Sequence, residues 1–166
     1  MHRALGISVH TGWAACVVVG GSMSEPTIVA NEVIEILGDA DRFCFHRAAE
    51  MQRAAAGEWI ASTRERAVAN ATRALAPLLA GDVRACAIVA KPGDPGDLDA
   101  ILASHPRIHT AEGCFYRDVL REACGIAVRV ISPAKLDPSK VGKLAAAPWG
   151  RDQKLAALAA WTVIDG

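Results

Sequence analysis

The chain has 166 residues, of which 52% are hydrophobic, and its 18 basic and 18 acidic side chains give a formal net charge of zero. This composition excludes an intrinsically disordered chain and indicates one domain with a substantial core, while no run reaches the roughly 18 apolar residues of a membrane span. The balanced charge argues against a surface dedicated to coating nucleic acid, although a local basic patch is compatible with it.

The first part of the chain predicts three β-strands. Two apolar runs, residues 4–9 and 14–19, flank a short glycine-containing turn and predict a hairpin that is covered on both faces. A third strand is predicted at residues 28–37, where Glu32 and Glu35 interrupt the apolar run. Charges of this kind protect an open sheet edge, so we predict that the third strand lies at the edge.

The middle of the chain predicts a long helix followed by a fourth strand. Apolar residues recur at spacings of three and four between residues 47 and 80, whereas residues 42–46 fit either a short strand or the lead into this helix. Residues 83–90 are continuously apolar and predict a central strand. A loop of proline, glycine and aspartate follows, and then a short helix at residues 98–104 that Pro106 would stop.

The last part of the chain predicts two helices and a fifth strand. Residues 110–124 predict a helix with Thr110 as its N-cap, and residues 126–131 predict the strand. Residues 132–149 predict a loop that leads into a final helix ending near residue 163. Three antiparallel strands followed by two right-handed crossovers predict a five-stranded mixed sheet of order 3-2-1-4-5, with helices on both faces.

The five cysteines indicate a reduced protein. They are odd in number and lack C-x-x-C spacing, and Cys16 and Cys86 lie inside apolar runs, where a free cysteine behaves as a small buried hydrophobe. The N-terminal residues enter a predicted strand without the pattern of a signal peptide. We therefore expect a cytoplasmic location, no membrane contact and no disulfide framework.

The order of the elements resembles that of the ribonuclease H-like fold, a three-layer α/β domain that here would span residues 1–166. Leu5-Gly6-Ile7 and Gly12-Trp13-Ala14 are similar to the opening of the Holliday-junction resolvase branch, where a strand ending in Gly-Ile-Asp precedes a turn and a Gly-Trp-Ala-Val strand. The later helix, strand, lysine-bearing loop and alanine-rich final helix also follow that layout. The resemblance covers most of the chain in layout and only a few residues in motif.

If the resemblance extends to activity, it implies catalytic carboxylates at particular positions of this sequence. The family's two-metal chemistry uses carboxylates on the first strand, at the end of the fourth strand and on the last helix. The corresponding residues here are Ser8, Lys91 and Asp152, and the positions three and four residues after Asp152 are apolar. Asp152 is thus the one catalytic candidate, and Lys91 would repel a divalent cation. We predict the fold without its two-metal site.

Several of these positions remain candidates for binding a ligand. Asp94 lies in the loop after the fourth predicted strand, at the edge where α/β proteins bind ligands, although its ordinary role in such a loop is turn formation. Ser8 and Lys91 are candidates because they occupy positions that the resemblance assigns to ligands. His10 lies in the hairpin turn, and the related actin-like ATPases grip phosphate with such a turn, although a single turn glycine is a weak signal. Lys143 and Arg151 belong to a basic stretch that would contact phosphates or simply face solvent.

The sequence offers three soft ligands for a metal site, His105, His109 and Cys114. The H-x3-H spacing aligns two imidazoles on a helix, but Pro106 argues against continuous helix there, and a structural zinc site needs a fourth ligand. We therefore predict no metal ligands and no cofactor.

Three functions are compatible with the sequence. The first is a non-catalytic ribonuclease H-like domain that acts as a binding or assembly module for nucleic acid, a nucleotide or another protein. The alternative is a magnesium-dependent nuclease of the resolvase type with displaced acidic ligands, drawn from Glu32, Glu112, Asp118 and Asp152. The third is a purely structural homo-oligomer.

Overall fold

The computed structural model describes residues 2–143 and 149–165, except for the side chain of Lys143. The strands are β1 (Arg3–Val9), β2 (Trp13–Gly21), β3 (Pro26–Glu35), β4 (Val83–Val89) and β5 (Val128–Ile131). The α-helices are α1 (Cys44–Ala48), α2 (Arg53–Leu79), α3 (Leu98–Leu102), α4 (His105–Cys124) and α5 (Arg151–Val163). Two short 3-10 helices, Pro133–Lys135 and Pro138–Lys143, lie in the segment 132–149, which the sequence pattern predicts as a loop.

The five strands form one mixed sheet of order β3-β2-β1-β4-β5. β1 pairs antiparallel with β2 and parallel with β4, so that Ser8 lies opposite Val89. β4 and β5 are also parallel, and β3 is the edge strand with Glu32 and Glu35 exposed. The predicted sheet order, the parallel pairing of the first and fourth strands and the edge position of the third strand are confirmed.

Helices cover both faces of the sheet. Leu5 and Ile7 of β1 pack with residues of α2 and α4 in the larger core, whereas Ala4 packs with residues of α5 in the smaller one. Successive side chains of a strand point to opposite faces, so this division follows from the strand itself. β1 and β2 are buried over most of their length because both of their faces are covered, as their continuous apolar runs predict.

The helix α5 lies unusually close to β1. A Cβ atom added to Gly6 would lie 1.8 Å from the carbonyl oxygen of Ala156. The helix residues on this side include Ala156, Ala157, Ala159 and Ala160, which are fully buried. Small side chains on the helix and a glycine on the strand permit this close approach, which carries the first turn of α5 to the end of β1.

One predicted helix start needs correction, and one ambiguous segment is resolved. α4 begins at His105 and not at Thr110, because Pro106 lies in the first turn, where the helix needs no N–H donor. Thr110 is inside the helix and its hydroxyl donates to the carbonyl of Pro106. Residues 42–46, ambiguous from sequence, contribute to α1 and form no strand.

All five cysteines are free and buried, which confirms the prediction for Cys16 and Cys86. The Sγ atoms of Cys86 and Cys124 lie 3.5 Å apart. Among the described residues, no helix combines the length and apolar character that crossing a bilayer requires.

Candidate functional site

A cleft of about 560 Å³ opens at the carboxyl ends of β1 and β4. Parallel pairing brings these two ends to the same edge of the sheet, and α5 begins at this edge. The residues that line the cleft include Ser8, His10, Lys91, His109, Arg151 and Asp152. Because ligands of open α/β sheets bind outside the carboxyl ends of the strands, this cleft is the candidate site.

Asp152 organises the polar groups of the cleft. It is the one acidic residue among the described residues that line the cleft. Its Oδ1 atom accepts a hydrogen bond from the Ser8 hydroxyl at 3.1 Å and lies 2.7 Å from Nε2 of His10. The carboxylate also lies in the first turn of α5, where a negative charge is stabilised by the helix dipole.

His10 is held in place from a second side by an aromatic ring. Its imidazole stacks on the indole of Trp13, with ring centroids 4.2 Å apart and an interplanar angle of 6°. The backbone N–H of His10 donates to the carbonyl of Trp13 at 2.9 Å and closes the hairpin turn. The turn, the stacked ring and the carboxylate of Asp152 together fix the orientation of the imidazole.

These three polar residues do not form a Ser-His-Asp catalytic triad. In a triad the imidazole lies between the serine and the carboxylate, so that it can remove the hydroxyl proton. Here the carboxylate of Asp152 lies between the hydroxyl of Ser8 and the imidazole of His10. Ser8 is also 97% shielded from solvent, with only 3% exposed. The arrangement therefore positions polar groups and does not activate a nucleophile.

Two permanent cations face the cleft. Lys91 lies two residues after the end of β4 and Arg151 is the first residue of α5, and both are exposed. In the part of the chain that the structure describes, neither has an ion-pair partner within 4.0 Å. The single carboxylate of Asp152 offsets one of the two charges, so the cleft favours an anionic ligand.

The donor set does not fit a pair of magnesium ions. Magnesium requires an octahedron of oxygen ligands, and two-metal catalysis requires several carboxylates that converge on one point. Ser8 and Asp152 supply one hydroxyl and one carboxylate, and Lys91 adds a positive charge at the third position. These residues therefore supply too few oxygen ligands for two-metal catalysis.

The other acids of the displaced-ligand alternative lie elsewhere. Glu32 is exposed on the edge strand β3, Asp118 forms an ion pair with Arg117 at 2.9 Å, and Glu112 is buried beneath α1. None of the three lines the cleft. Among the described residues they do not converge with Asp152.

The remaining sequence candidates have separate positions. Asp94 does not line the cleft, and its carboxylate accepts a hydrogen bond from the backbone N–H of Gly96 at 2.9 Å, which is a turn-forming role. Cys114 lines the cleft, and its thiol donates to the carbonyl of Gly93. Burial raises the pKa of the Cys114 thiol. The side chain of Lys143 lies outside the described residues.

One group of side chains near the cleft was missed by the sequence reasoning. His46 joins His105 and His109, although it lies 59 residues before the first of them in the chain. The H-x3-H spacing of His105 and His109 indicated this cluster. The predicted start of the helix at Thr110 left both histidines outside it, so the spacing did not predict that they share one helix face. Nothing in the sequence around His46 indicates that it meets the other two residues.

The sheet order, the helices on both faces and the cleft at the ends of β1 and β4 define a ribonuclease H-like fold. Among solved structures, the chain is similar to Thermus thermophilus RuvC in complex with Holliday junction substrate, with a TM-score of 0.58 and 13% identity over 98% of this chain and 92% of that chain. A second structure of Thermus thermophilus RuvC gives a TM-score of 0.54 and 13% identity over 96% and 92% of the two chains. At this level of identity the likeness shows the fold alone.

No family model matches the sequence, and no curated protein matches it.

Proposed function

We propose that this chain is a ribonuclease H-like domain that binds nucleic acid through its cleft and does not cleave it by two-metal chemistry. One observation carries the proposal. The only carboxylate lining the described cleft, that of Asp152, is already engaged by Ser8 and His10, whereas Lys91 and Arg151 present their charges to the opening.

The two cations suit the phosphates of a nucleic-acid backbone. A guanidinium such as that of Arg151 donates two parallel hydrogen bonds to one phosphate, and an ammonium such as that of Lys91 acts as a compact point charge. Neutralising phosphates releases condensed counterions, which supplies binding energy without base contacts. The neutral total charge of the chain is compatible with binding at this one edge.

A branched DNA is the first substrate class to test. One RuvC structure to which this chain is similar is described as a complex with Holliday junction substrate. In the described part of the chain, the cleft at the carboxyl ends of the parallel strands presents Lys91 and Arg151 to a ligand. A four-way DNA junction and a duplex of the same sequence therefore form the natural pair of probes.

The test is a binding isotherm measured by fluorescence anisotropy in the presence of EDTA, over a series of salt concentrations. We expect the wild-type chain to bind the junction with an affinity that falls as salt rises. Lys91→Ala and Arg151→Ala should each weaken binding and reduce the salt slope by about 0.9 for each lost phosphate contact. The matched control is Arg73→Ala, which removes an exposed cation on α2.

Two outcomes would overturn the proposal. If Lys91→Ala and Arg151→Ala bind the junction as tightly as Arg73→Ala, the cleft is not the nucleic-acid site. If the wild-type chain binds neither probe, the domain is a module for another protein or for a second copy of itself, and sedimentation analysis would then report its assembly state.

A further inference from the structure

Three histidines meet beside the cleft, and together they have the composition of a metal site. His105 and His109 lie one helical turn apart on the same face of α4, and His46 lies in α1. One ring nitrogen of each residue lies within 4.8 Å of the corresponding atoms of the other two. We propose that these three residues bind a zinc ion, with Glu112 as a positioning residue.

The geometry of the three rings suits a tetrahedral ion. The ring planes of each pair are inclined by 69° to 87°, and the ring centroids are 4.6 to 5.3 Å apart. The two Nε2 atoms of His105 and His109 are 3.0 Å apart. Histidine nitrogens bind zinc at 2.0–2.1 Å, which places two ligand nitrogens of a tetrahedral ion roughly 3.3 Å apart. Small side-chain rotations of the two exposed residues would open that spacing.

A buried carboxylate, that of Glu112, orients the third ligand, His46. Glu112 is only 3% exposed, and its Oε1 atom accepts from Nδ1 of His46 at 2.8 Å and from the backbone N–H of His46 at 3.3 Å. With the Glu112 oxygen as acceptor, the ring proton of His46 lies on Nδ1, which leaves the lone pair of Nε2 for a metal. Metal-binding histidines usually donate their second nitrogen to such a carboxylate, which fixes the ring and increases its basicity.

The ligand set favours zinc with one open position. Three imidazoles and no thiolate suit zinc, copper or nickel, and zinc tolerates the tetrahedral arrangement of three protein ligands with a fourth, exchangeable one. Cys114 does not supply that fourth ligand, because its thiol donates to the carbonyl of Gly93. His109 also lines the cleft, so the open position would take a solvent or phosphate oxygen at the cleft wall.

To test this proposal, zinc is titrated into the metal-free full chain and binding is measured by isothermal titration calorimetry. In parallel, cobalt is added, because a tetrahedral cobalt site has a characteristic visible absorption spectrum. We expect one zinc ion per chain. His105→Ala and His109→Ala should weaken zinc binding by at least about 100-fold and abolish the cobalt spectrum, while circular dichroism stays unchanged because both residues are exposed. The matched control is His2→Ala, which removes an exposed histidine beside Asp82 and should bind zinc like the wild type.

Glu112→Gln separates a positioning role from a merely structural one. The amide keeps the size of the side chain but loses the negative charge, so zinc affinity should fall by about 10- to 100-fold while the stoichiometry and the cobalt spectrum are retained. A purely structural role would lower the melting temperature and leave the zinc affinity of the folded chain unchanged. The proposed site is overturned if the wild type binds no stoichiometric zinc, or if His105→Ala and His109→Ala bind it as tightly as His2→Ala. These titrations contain no DNA, so they do not depend on the function proposed for the cleft.

Discussion

Gly12 has a backbone conformation that few other residues adopt. Its φ angle is +87°, in the left-handed region, and its carbonyl accepts hydrogen bonds from the N–H groups of Ile36 and Leu37. A Cβ atom at this position would lie 2.8 Å from Cβ of Arg42 and 2.9 Å from the carbonyl oxygen of Leu37. The turn that carries His10 is therefore fastened to the chain that follows β3.

Replacing Gly12 with alanine should destabilise the protein. Backbone strain and the close contacts together predict a loss of about 1–3 kcal/mol in the free energy of unfolding, measured by urea denaturation. Gly38→Ala is the matched control, because its added Cβ would meet only an oxygen of Glu35 at 3.8 Å. Equal stability of the two variants would show that the turn adjusts without strain.

Because of its buried thiols, the stability of the protein should change with pH in the alkaline range. Burial raises the pKa of Cys16 and of Cys44 from 9.0 to about 12. Between these values the unfolded chain loses thiol protons that the folded chain keeps. The contribution of these thiols to the free energy of unfolding is therefore fully present below pH 9. It falls as the pH rises toward 12, by about 1.4 kcal/mol per pH unit for each such thiol.

Cys16→Ala should reduce this pH dependence by the contribution of one thiol. The lost sulfur lowers stability at every pH, so the informative quantity is the slope of unfolding free energy against pH above 9, measured by urea denaturation. The slope of the variant should be shallower than that of the wild type. Parallel slopes would mean that Cys16 titrates in the folded chain as it does in the unfolded one.

At the level of the elements, the contact between α5 and β1 positions the cleft. Gly6 allows the helix backbone to touch the strand, and Asp152 in the first turn of this helix reaches Ser8 at the end of the strand. A shift of the helix away from the sheet would separate these two side chains. The close packing therefore supports both the core and the candidate site.

Gly6→Ala should be strongly destabilising. The added methyl group would lie 1.8 Å from the carbonyl oxygen of Ala156, a backbone atom that can move only with the helix. We expect a loss at or above the upper end of the roughly 1–3 kcal/mol typical of overpacked cores. Gly113→Ala in α4 is the control, since its added Cβ meets nothing within 4 Å and should stabilise the helix by about 0.5–1 kcal/mol. Comparable melting temperatures for both variants would contradict this account of the packing.

At the scale of the whole molecule, the cleft should bind magnesium only weakly, because it has the carboxylate of Asp152 beside the cations of Lys91 and Arg151. We expect no cleavage of a four-way DNA junction or an RNA–DNA hybrid in millimolar magnesium or manganese. We also expect no rise in melting temperature relative to potassium chloride of the same ionic strength, whereas a ligand at 100 times its Kd would stabilise the folded state by about 2.7 kcal/mol. Magnesium-dependent cleavage that disappears in Asp152→Asn would instead establish the displaced-ligand nuclease.

The local pattern of the sequence predicted the architecture well. Continuous apolar runs at β1, β2 and β4 indicated strands covered on both faces, and the order of elements led to the sheet order through the handedness of the crossovers. The start of α4 was wrong, because Pro106 is a helix breaker in the interior and a favourable residue in the first turn. Sequence alone does not decide between these two positions.

The sequence by itself determined that residues 8 and 91 are a serine and a lysine, neither of which can serve as an anionic metal ligand. The tertiary structure decided which side chains meet. Asp152 reaches Ser8 across 144 residues, and Glu112 reaches His46 across 66. Contacts of this kind leave no periodic trace in a single sequence, because they depend on how helices pack against the sheet and on how closely a residue such as Gly6 lets them approach.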